Sequence, residues 1–225
     1  MASAGVAVLC SGGLDSAVLV ASEARRAVVQ PVYISGGLSW EGEERALLDR
    51  LLPAIGGPDR VAPLALLNVD VSDLYPAGHW ALTAAPPAYD TPDEAVYLPG
   101  RNVLLLSKAA VLCATLRIPR IAIGPLAGNP FPDATPEFLA AMGRALSLGL
   151  AWDIRIDAPF STMHKEEVIR LGESLGVPFE FTLSCMNPAT GRHCGLCSKC
   201  RERRDAFAAA GVDDPTTYVA PSPRR

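Results

Sequence analysis

No apolar run in the 225 residues approaches the roughly 18–20 needed to cross a bilayer, so no membrane-spanning helix is expected. A basic excess is missing too. Twenty Lys and Arg are set against 24 Asp and Glu, a net charge of −4, and no stable grip on nucleic acid is expected from such a balance. Met1-Ala2-Ser3-Ala4-Gly5 puts no basic segment ahead of the first apolar stretch, so no secretory leader is expected and the cytoplasm is the expected compartment. Neither the Gly-Lys-Ser/Thr ending of the common P-loop nor the three-glycine dinucleotide fingerprint occurs. What is present is a chain 49% hydrophobic and 20% charged. It is long enough to bury most of its unfolded surface without disulfides, as one domain plus an appendage.

Six cysteines are distributed unevenly. Cys10 and Cys113 stand alone in apolar surroundings and read as core residues. Cys185, Cys194, Cys197 and Cys200 crowd into the C-terminal part, spaced x8, x2 and x2. In a reducing compartment such clustering points to metal rather than to disulfides. Four sulfurs close the tetrahedral shell of zinc and leave no position open for chemistry, which predicts a structural Zn2+. An iron–sulfur cluster uses similar spacing and stays open as an alternative. Gly195 allows the tight turn between ligands, and Arg192, Lys199, Arg201, Arg203 and Arg204 offset the negative charge. His193 reads as an exposed neighbour rather than a ligand.

Strand and helix patterns alternate along the chain. Strands are expected at 6–10, 28–34, 61–69, 120–126 and 154–156, and helices at 14–26, 39–52, 102–116, from Thr135 onward, 163–175 and 201–210. Early acids Glu41, Glu43 and Glu44 suit the dipole of the second helix, and Pro136 behind Thr135 marks a helix start. Residues 73–94, with Pro76, Pro86, Pro87 and Pro92, read as a long loop with one helical turn. The tail from Pro215 reads as frayed. This alternation predicts an α/β fold with a parallel sheet covered on both faces and a ligand crevice outside the carboxyl ends of its strands. The expected division is an ATP-binding domain over residues 1–180 and a zinc-binding segment over 181–225.

Ser11-Gly12-Gly13-Leu14-Asp15-Ser16 joins the first strand to the first helix. Paired glycines let successive N–H groups converge on an anion at a helix N-terminus. Ser11 and Ser16 add hydroxyls, and Asp15 suits Mg2+ or a helix cap. The hexapeptide resembles the pyrophosphate-binding loop of the PP-loop ATP pyrophosphatases. Tyr97-Leu98-Pro99-Gly100-Arg101-Asn102, Thr182-Leu183-Ser184-Cys185 and the cysteine spacing then follow in order. Together, over nearly the whole chain, they resemble the 7-cyano-7-deazaguanine synthase family.

The resemblance implies an adenine nucleotide alpha hydrolase-like fold and an ATP-dependent carbon–nitrogen ligase of queuosine and 7-deazapurine biosynthesis. That family turns 7-carboxy-7-deazaguanine, ATP and ammonia into the nitrile, with a structural zinc. It implies nucleotide contacts from Leu9, Cys10, Ser11, Gly12, Gly13, Leu14, Asp15 and Ser16. Asp15, Lys165 and Arg101 take catalytic roles, Lys165 on a phosphate and Arg101 on a carboxylate or phosphate. Asn102 and Asp133 are expected near the acceptor, and a homodimer is implied as well. Two segments depart from the family. Its Tyr-Gly-Gln-Arg-His-like stretch is replaced by Tyr33-Ile34-Ser35-Gly36-Gly37-Leu38-Ser39-Trp40, and Phe131-Pro132-Asp133-Ala134 lacks a cysteine. A related adenylating ligase or amide-forming enzyme on another carboxylate is the first alternative. A non-enzymatic zinc-ribbon module is the second. No glutaminase-type Cys–His pair is visible, so ammonia is expected free or from a partner.

Overall fold

The computed structural model describes residues 5–221. Met1–Ala4 and the terminal arginines of the expected frayed tail lie outside them. Five parallel strands, β1 (Val6–Leu9), β2 (Val29–Ser35), β3 (Ala65–Asn68), β4 (Arg120–Ala122) and β5 (Arg155–Asp157), form one sheet in the order β3-β2-β1-β4-β5. The near-continuous apolar stretch of β1 follows from its central place: both of its faces are covered. Val6 and Val8 face one helical layer and Ala7 the other.

Helices α1 (Leu14–Ala24), α2 (Glu41–Ile55), α6 (Lys165–Ser174) and α7 (Ser198–Ala210) pack on the first face, through residues such as Leu19, Leu48, Ile169 and Phe207. On the second lie α4 (Arg101–Leu116) and α5 (Pro136–Leu150), through Leu106, Cys113 and Leu139. A short helix, α3 (Trp80–Thr83), and a 3-10 turn at Asp93–Val96 occupy the expected long loop. Cys10 and Cys113 are buried core residues, as expected.

The third and fourth strands are much shorter than their sequence patterns, and a proline accompanies each. The third is confined to Ala65–Asn68 because Pro63 has no N–H for the ladder; Val61 keeps only an isolated bridge to Val29. The fourth ends at Ala122, ahead of Gly124 and Pro125. Helix α5 starts as expected, with the Thr135 hydroxyl accepting from the Phe138 N–H (3.2 Å) and Pro136 in the first turn. The last helix begins earlier than 201, at Ser198, and so carries Lys199 and Cys200 on its first turn.

The expected frayed tail is a correction. Residues 217–220 lie against the metal segment: His193 N–H donates to Thr217 O (3.0 Å), Val219 N–H to His193 O (2.8 Å) and Ala220 N–H to Cys194 O (3.1 Å). Arg204 stacks on the Tyr218 ring at 3.7 Å. Backbone pairing and a cation–π contact outweigh the local breaking tendency of Pro215 and Pro221.

Candidate active site and metal centre

Gly12 adopts φ +75° between β1 and α1, a conformation that favours glycine. A Cβ there would stand 3.2 Å from Leu48 and 3.4 Å from the Glu44 carbonyl, so α2 supports the loop from below. Ser11 Oγ accepts from Gly13 N–H (3.3 Å) and Ser16 Oγ donates to Gly13 O (3.0 Å). Leu183 N–H donates to Gly12 O at 2.8 Å, which ties the loop to the lead-in of the metal segment. Burial pushes the Cys10 thiol up to about 11, against the Gly12 N–H and the Ser16 hydroxyl, so it stays protonated at neutral pH.

Lys165 opens α6 and Asp15 lies in the first turn of α1, 150 positions apart in sequence. Their side chains meet at 2.7 Å, and Lys165 Nζ also reaches Glu202 Oε1 at 2.9 Å. Lys199 pairs with the other Glu202 oxygen at 2.5 Å. Burial pulls the Lys165 ammonium down, but Asp15 and Glu202 outweigh it and hold it above the ordinary lysine range. Lys165 is therefore a fixed cation beside the glycine loop. Asp15 Oδ1 is buried with no hydrogen-bond partner. An orphaned carboxylate oxygen beside an anion cradle has the donor chemistry that Mg2+ takes.

Arg101 begins α4 behind Gly100, which holds φ +74°. One orphan N–H of that helix end is met by Asp133: its Oδ2 accepts from Asn102 N–H (2.9 Å), and the Asn102 side-chain Nδ2 donates to Asp133 O (3.0 Å). Asp133 is 6% exposed. It is drawn into this clasp rather than turned toward a ligand, because an unsatisfied helix end would cost more than a carboxylate gains by pointing into water. Asn102 shares the clasp and also borders the cavity.

The cavity at the carboxyl ends of the strands has two lobes. One, about 280 Å³, lies over β1, β2 and β4 against Val32, Ile34, Ile123 and Gly124. The other, about 270 Å³, lies between the glycine loop and the metal segment, against Trp40, Trp80, Leu98 and Met186. Ser11, Gly13, Asp15, Glu44, Arg101 and Phe131 line both, so these residues mark the junction. Trp40 and Trp80 stack with ring centroids 5.7 Å apart and planes 9° from parallel. Glu44 accepts from the Tyr33 hydroxyl at 2.8 Å. Burial pushes its carboxyl up to about 7, with the Arg101 charge and the Tyr33 hydrogen bond holding it from going higher.

Sequence reasoning missed Glu44, Trp80 and Glu202 as cavity residues. Glu44 was legible only as an acid suited to a helix dipole, and Trp80 lay in a stretch without periodicity. Lys199, expected from the sequence to balance the cysteine charge, lines the cavity and pairs with Glu202.

The four clustered sulfurs lie within 4.8 Å of one another. Cys194 and Cys200 stand 3.9 Å apart, and Cys197 and Cys200 3.5 Å. A tetrahedral ion with metal–sulfur bonds of ~2.3 Å spaces its ligands about 3.8 Å apart, so one ion fits. A multi-iron cluster puts several iron and sulfide atoms between its cysteines, and the sulfurs here leave no room for them. Backbone N–H groups point at the sulfurs: Asn187 and Cys194 donate to Cys185 Sγ, Leu196 to Cys194 Sγ and Gly195 to Cys200 Sγ, at 3.2–3.4 Å. Such donors offset thiolate charge. Gly195 holds φ +82°, and a Cβ on it would fall 2.2 Å from the Ala220 carbonyl oxygen. His193, expected to be exposed, is 3% exposed. Its Nε2 accepts from Ser184 N–H (3.0 Å), and burial, helped by Arg203, holds it down at about 3, neutral.

The QueC family model, "Queuosine biosynthesis protein QueC", matches residues 5–211. A 7-cyano-7-deazaguanine synthase of Methanopyrus kandleri is 35% identical, covering 94% of this chain and 97% of its own. One from an Anaeromyxobacter species is 36% identical (94% and 95%), and one from Dechloromonas aromatica 34% (95% and 97%). That match spans the glycine loop, the parallel sheet and the four-cysteine centre, and the chain belongs to the QueC family of queuosine biosynthesis enzymes.

Proposed function

We propose that this enzyme converts 7-carboxy-7-deazaguanine and ammonia into 7-cyano-7-deazaguanine in the cytoplasm, consuming ATP. A carboxylate has no good leaving group. Attack of its oxygen on the α-phosphorus of ATP expels pyrophosphate and supplies one, AMP. Ammonia then displaces AMP to give the amide. A second activation, at the amide oxygen, followed by loss of AMP leaves the nitrile.

The observation that carries this reading is the junction. A lobe over the strand ends meets an aromatic-walled lobe at the glycine loop, with Arg101 lining both sides. In this assignment the first lobe holds adenosine and the second the deazapurine, a planar group suited to tryptophan faces. The loop N–H groups hold pyrophosphate, and Lys165 neutralises charge that builds on it. Arg101 aligns the carboxylate with the α-phosphate. Asp15 Oδ1 is the protein ligand for Mg2+. Zn2+ in the cysteine centre is structural, with every position filled by sulfur.

Purified enzyme with ATP, magnesium, ammonium and 7-carboxy-7-deazaguanine, followed by mass spectrometry, is expected to yield the nitrile with AMP and pyrophosphate. Asp15→Ala is expected to abolish it. ATP turnover that ends at the amide would retain adenylation and overturn the nitrile as product. No turnover by folded, metal-loaded protein would overturn the reading.

A further inference from the structure

The reaction proposed above sheds protons from nitrogen, and a group must take them. Ammonia forms the C–N bond as the acyl C–O bond to AMP breaks, and one proton leaves the nitrogen. In the second half the amide oxygen bonds phosphorus, pyrophosphate departs, and one N–H proton is lost to leave an imidate. Then the imidate C–O bond breaks, AMP leaves with its electron pair, and the last N–H proton departs as the triple bond closes. These events occur where nucleotide meets acceptor, which is the junction of the two lobes.

Among the described residues, three carboxylates line that cavity: Asp15, Glu44 and Glu202. Both Glu202 oxygens are ion-paired to lysines. Asp15 is ion-paired to Lys165 through one oxygen, and the other is the metal ligand assigned above. Lys165 itself is held as a cation and takes no proton. Glu41, on the same helix as Glu44, has its oxygens engaged by the Ser35 hydroxyl and by the Gly36 and Gly37 N–H groups. Glu44 lines both lobes, as Asp15 does, but is engaged by no ion pair within 4 Å: it is 7% exposed, its Oε2 accepts from the Tyr33 hydroxyl, and the Trp40 side chain is its other hydrogen-bonding neighbour.

We propose that Glu44 is the catalytic base that receives the nitrogen protons at the junction. The carboxylate takes each proton and returns it to solvent through the open cavity before the next step. This rests on the proposed reaction and adds a residue to it. Its surroundings suit a proton carrier. Arg101 on α4 favours the carboxylate, while Glu41 on α2 and burial favour the acid, and the two tendencies leave it poised near neutrality. The Cys10 thiol, on the β1 side, stays neutral. Tyr33 on β2 is pushed far above its ordinary range by burial and by Glu44, so it remains a hydrogen-bond donor that fixes the carboxylate.

Two assays separate the halves. Exchange of labelled pyrophosphate into ATP, with 7-carboxy-7-deazaguanine and no ammonium, reads the first activation without any nitrogen chemistry. Conversion of the 7-carboxamide to the nitrile needs no ammonia, so its pH profile reports the enzyme's base. Glu44→Gln keeps the shape and the acceptor for Tyr33. It is expected to keep exchange within a few fold of wild type while nitrile formation falls about 10²-fold or more. The rising limb of the wild-type profile, centred near pH 7, should vanish, and Glu44→Asp should restore part of the rate. Tyr33→Phe, which leaves the carboxylate in place, should shift that limb without abolishing turnover. Equal loss of exchange and nitrile in Glu44→Gln, with the variant shown folded by circular dichroism, would make Glu44 a binding residue and overturn the proposal. An unchanged nitrile rate would overturn it as well. A wild type that neither exchanges nor forms nitrile refutes the reaction itself, on the wild type alone, and the proposal with it.

Discussion

Arg203 is the most enclosed cation described, with 1% of its side chain exposed. Its Nε donates to the Thr216 hydroxyl, its Nη1 to Thr182 and Ser184, and its Nη2 to Phe179 O, joining three separate segments. Asp214 supplies a counter-charge at 3.6 Å. Removing the guanidinium strands these acceptors, so Arg203→Met is expected to lose about 3 kcal/mol. For a chain of this size that lowers Tm by roughly 6–12 °C, readable by scanning calorimetry. Lys cannot fork to several acceptors, so Arg203→Lys should recover less than half of the loss. Glu44 carries a stability cost of its own. Its folded pKa, about 7, lies above the unfolded carboxyl value, so the folded state holds the extra proton between those two values. Stability contributed by this site is full below the unfolded pKa and is lost as pH rises through about 7. Tm should therefore fall between pH 5 and 8 in the wild type, and Glu44→Gln should flatten that decline. A steeper decline in the variant would contradict this assignment.

At the scale of elements, two helical glycines make opposite predictions. A Cβ on Gly172 in α6 would stand 2.6 Å from both Phe179 and Val18. Overpacking outweighs the ~1 kcal/mol that alanine gains in a helix, so Gly172→Ala should destabilise by about 1–2 kcal/mol in urea unfolding. Gly149 in α5 has nothing within 4 Å, and Gly149→Ala should gain up to about 0.5–1 kcal/mol. Elements were legible in the sequence where their causes are local. Thr135-Pro136 sets its own cap, and an apolar tetrapeptide before two glycines marks a central strand. The docked tail was not, because nothing within residues 214–220 shows that the backbone at 193–194 has free groups to pair with them. The early start of α7 escaped for a related reason. Cys197 and Cys200 read as ligands, and their service as the N-cap and first turn of a helix depends on how the sulfurs converge.

For the whole molecule, α7 links the metal centre to the cavity. Its first two turns carry Cys200 and the cavity residues Lys199 and Glu202, and its later residues Ala206 and Phe207 enter the main core. Stripping the metal with a chelator should therefore release both the loop before Cys185 and the cavity wall. Cooperative melting at lower temperature and loss of ATP–pyrophosphate exchange should appear together, and zinc should restore both. Survival of exchange in metal-free protein would show that the wall stands alone. The candidate site was legible in part for the same structural reason. The glycine loop and the cysteines are short-range signatures. The cavity takes Glu44, Arg101 and Lys165 from three helices, and only the folded sheet shows that they converge.

The strand order also bears on how the chain is made. β1 lies at the middle of the sheet, yet its second neighbour, β4, follows about 110 residues later. At about 5–20 residues per second, a ribosome leaves β1 without β4 on its bare side for roughly 5–20 seconds. That open apolar edge is a template for pairing with other nascent chains. Slower translation or overexpression without chaperones should therefore favour inclusion bodies, even though the finished protein buries Val6, Ala7 and Val8 of β1 completely.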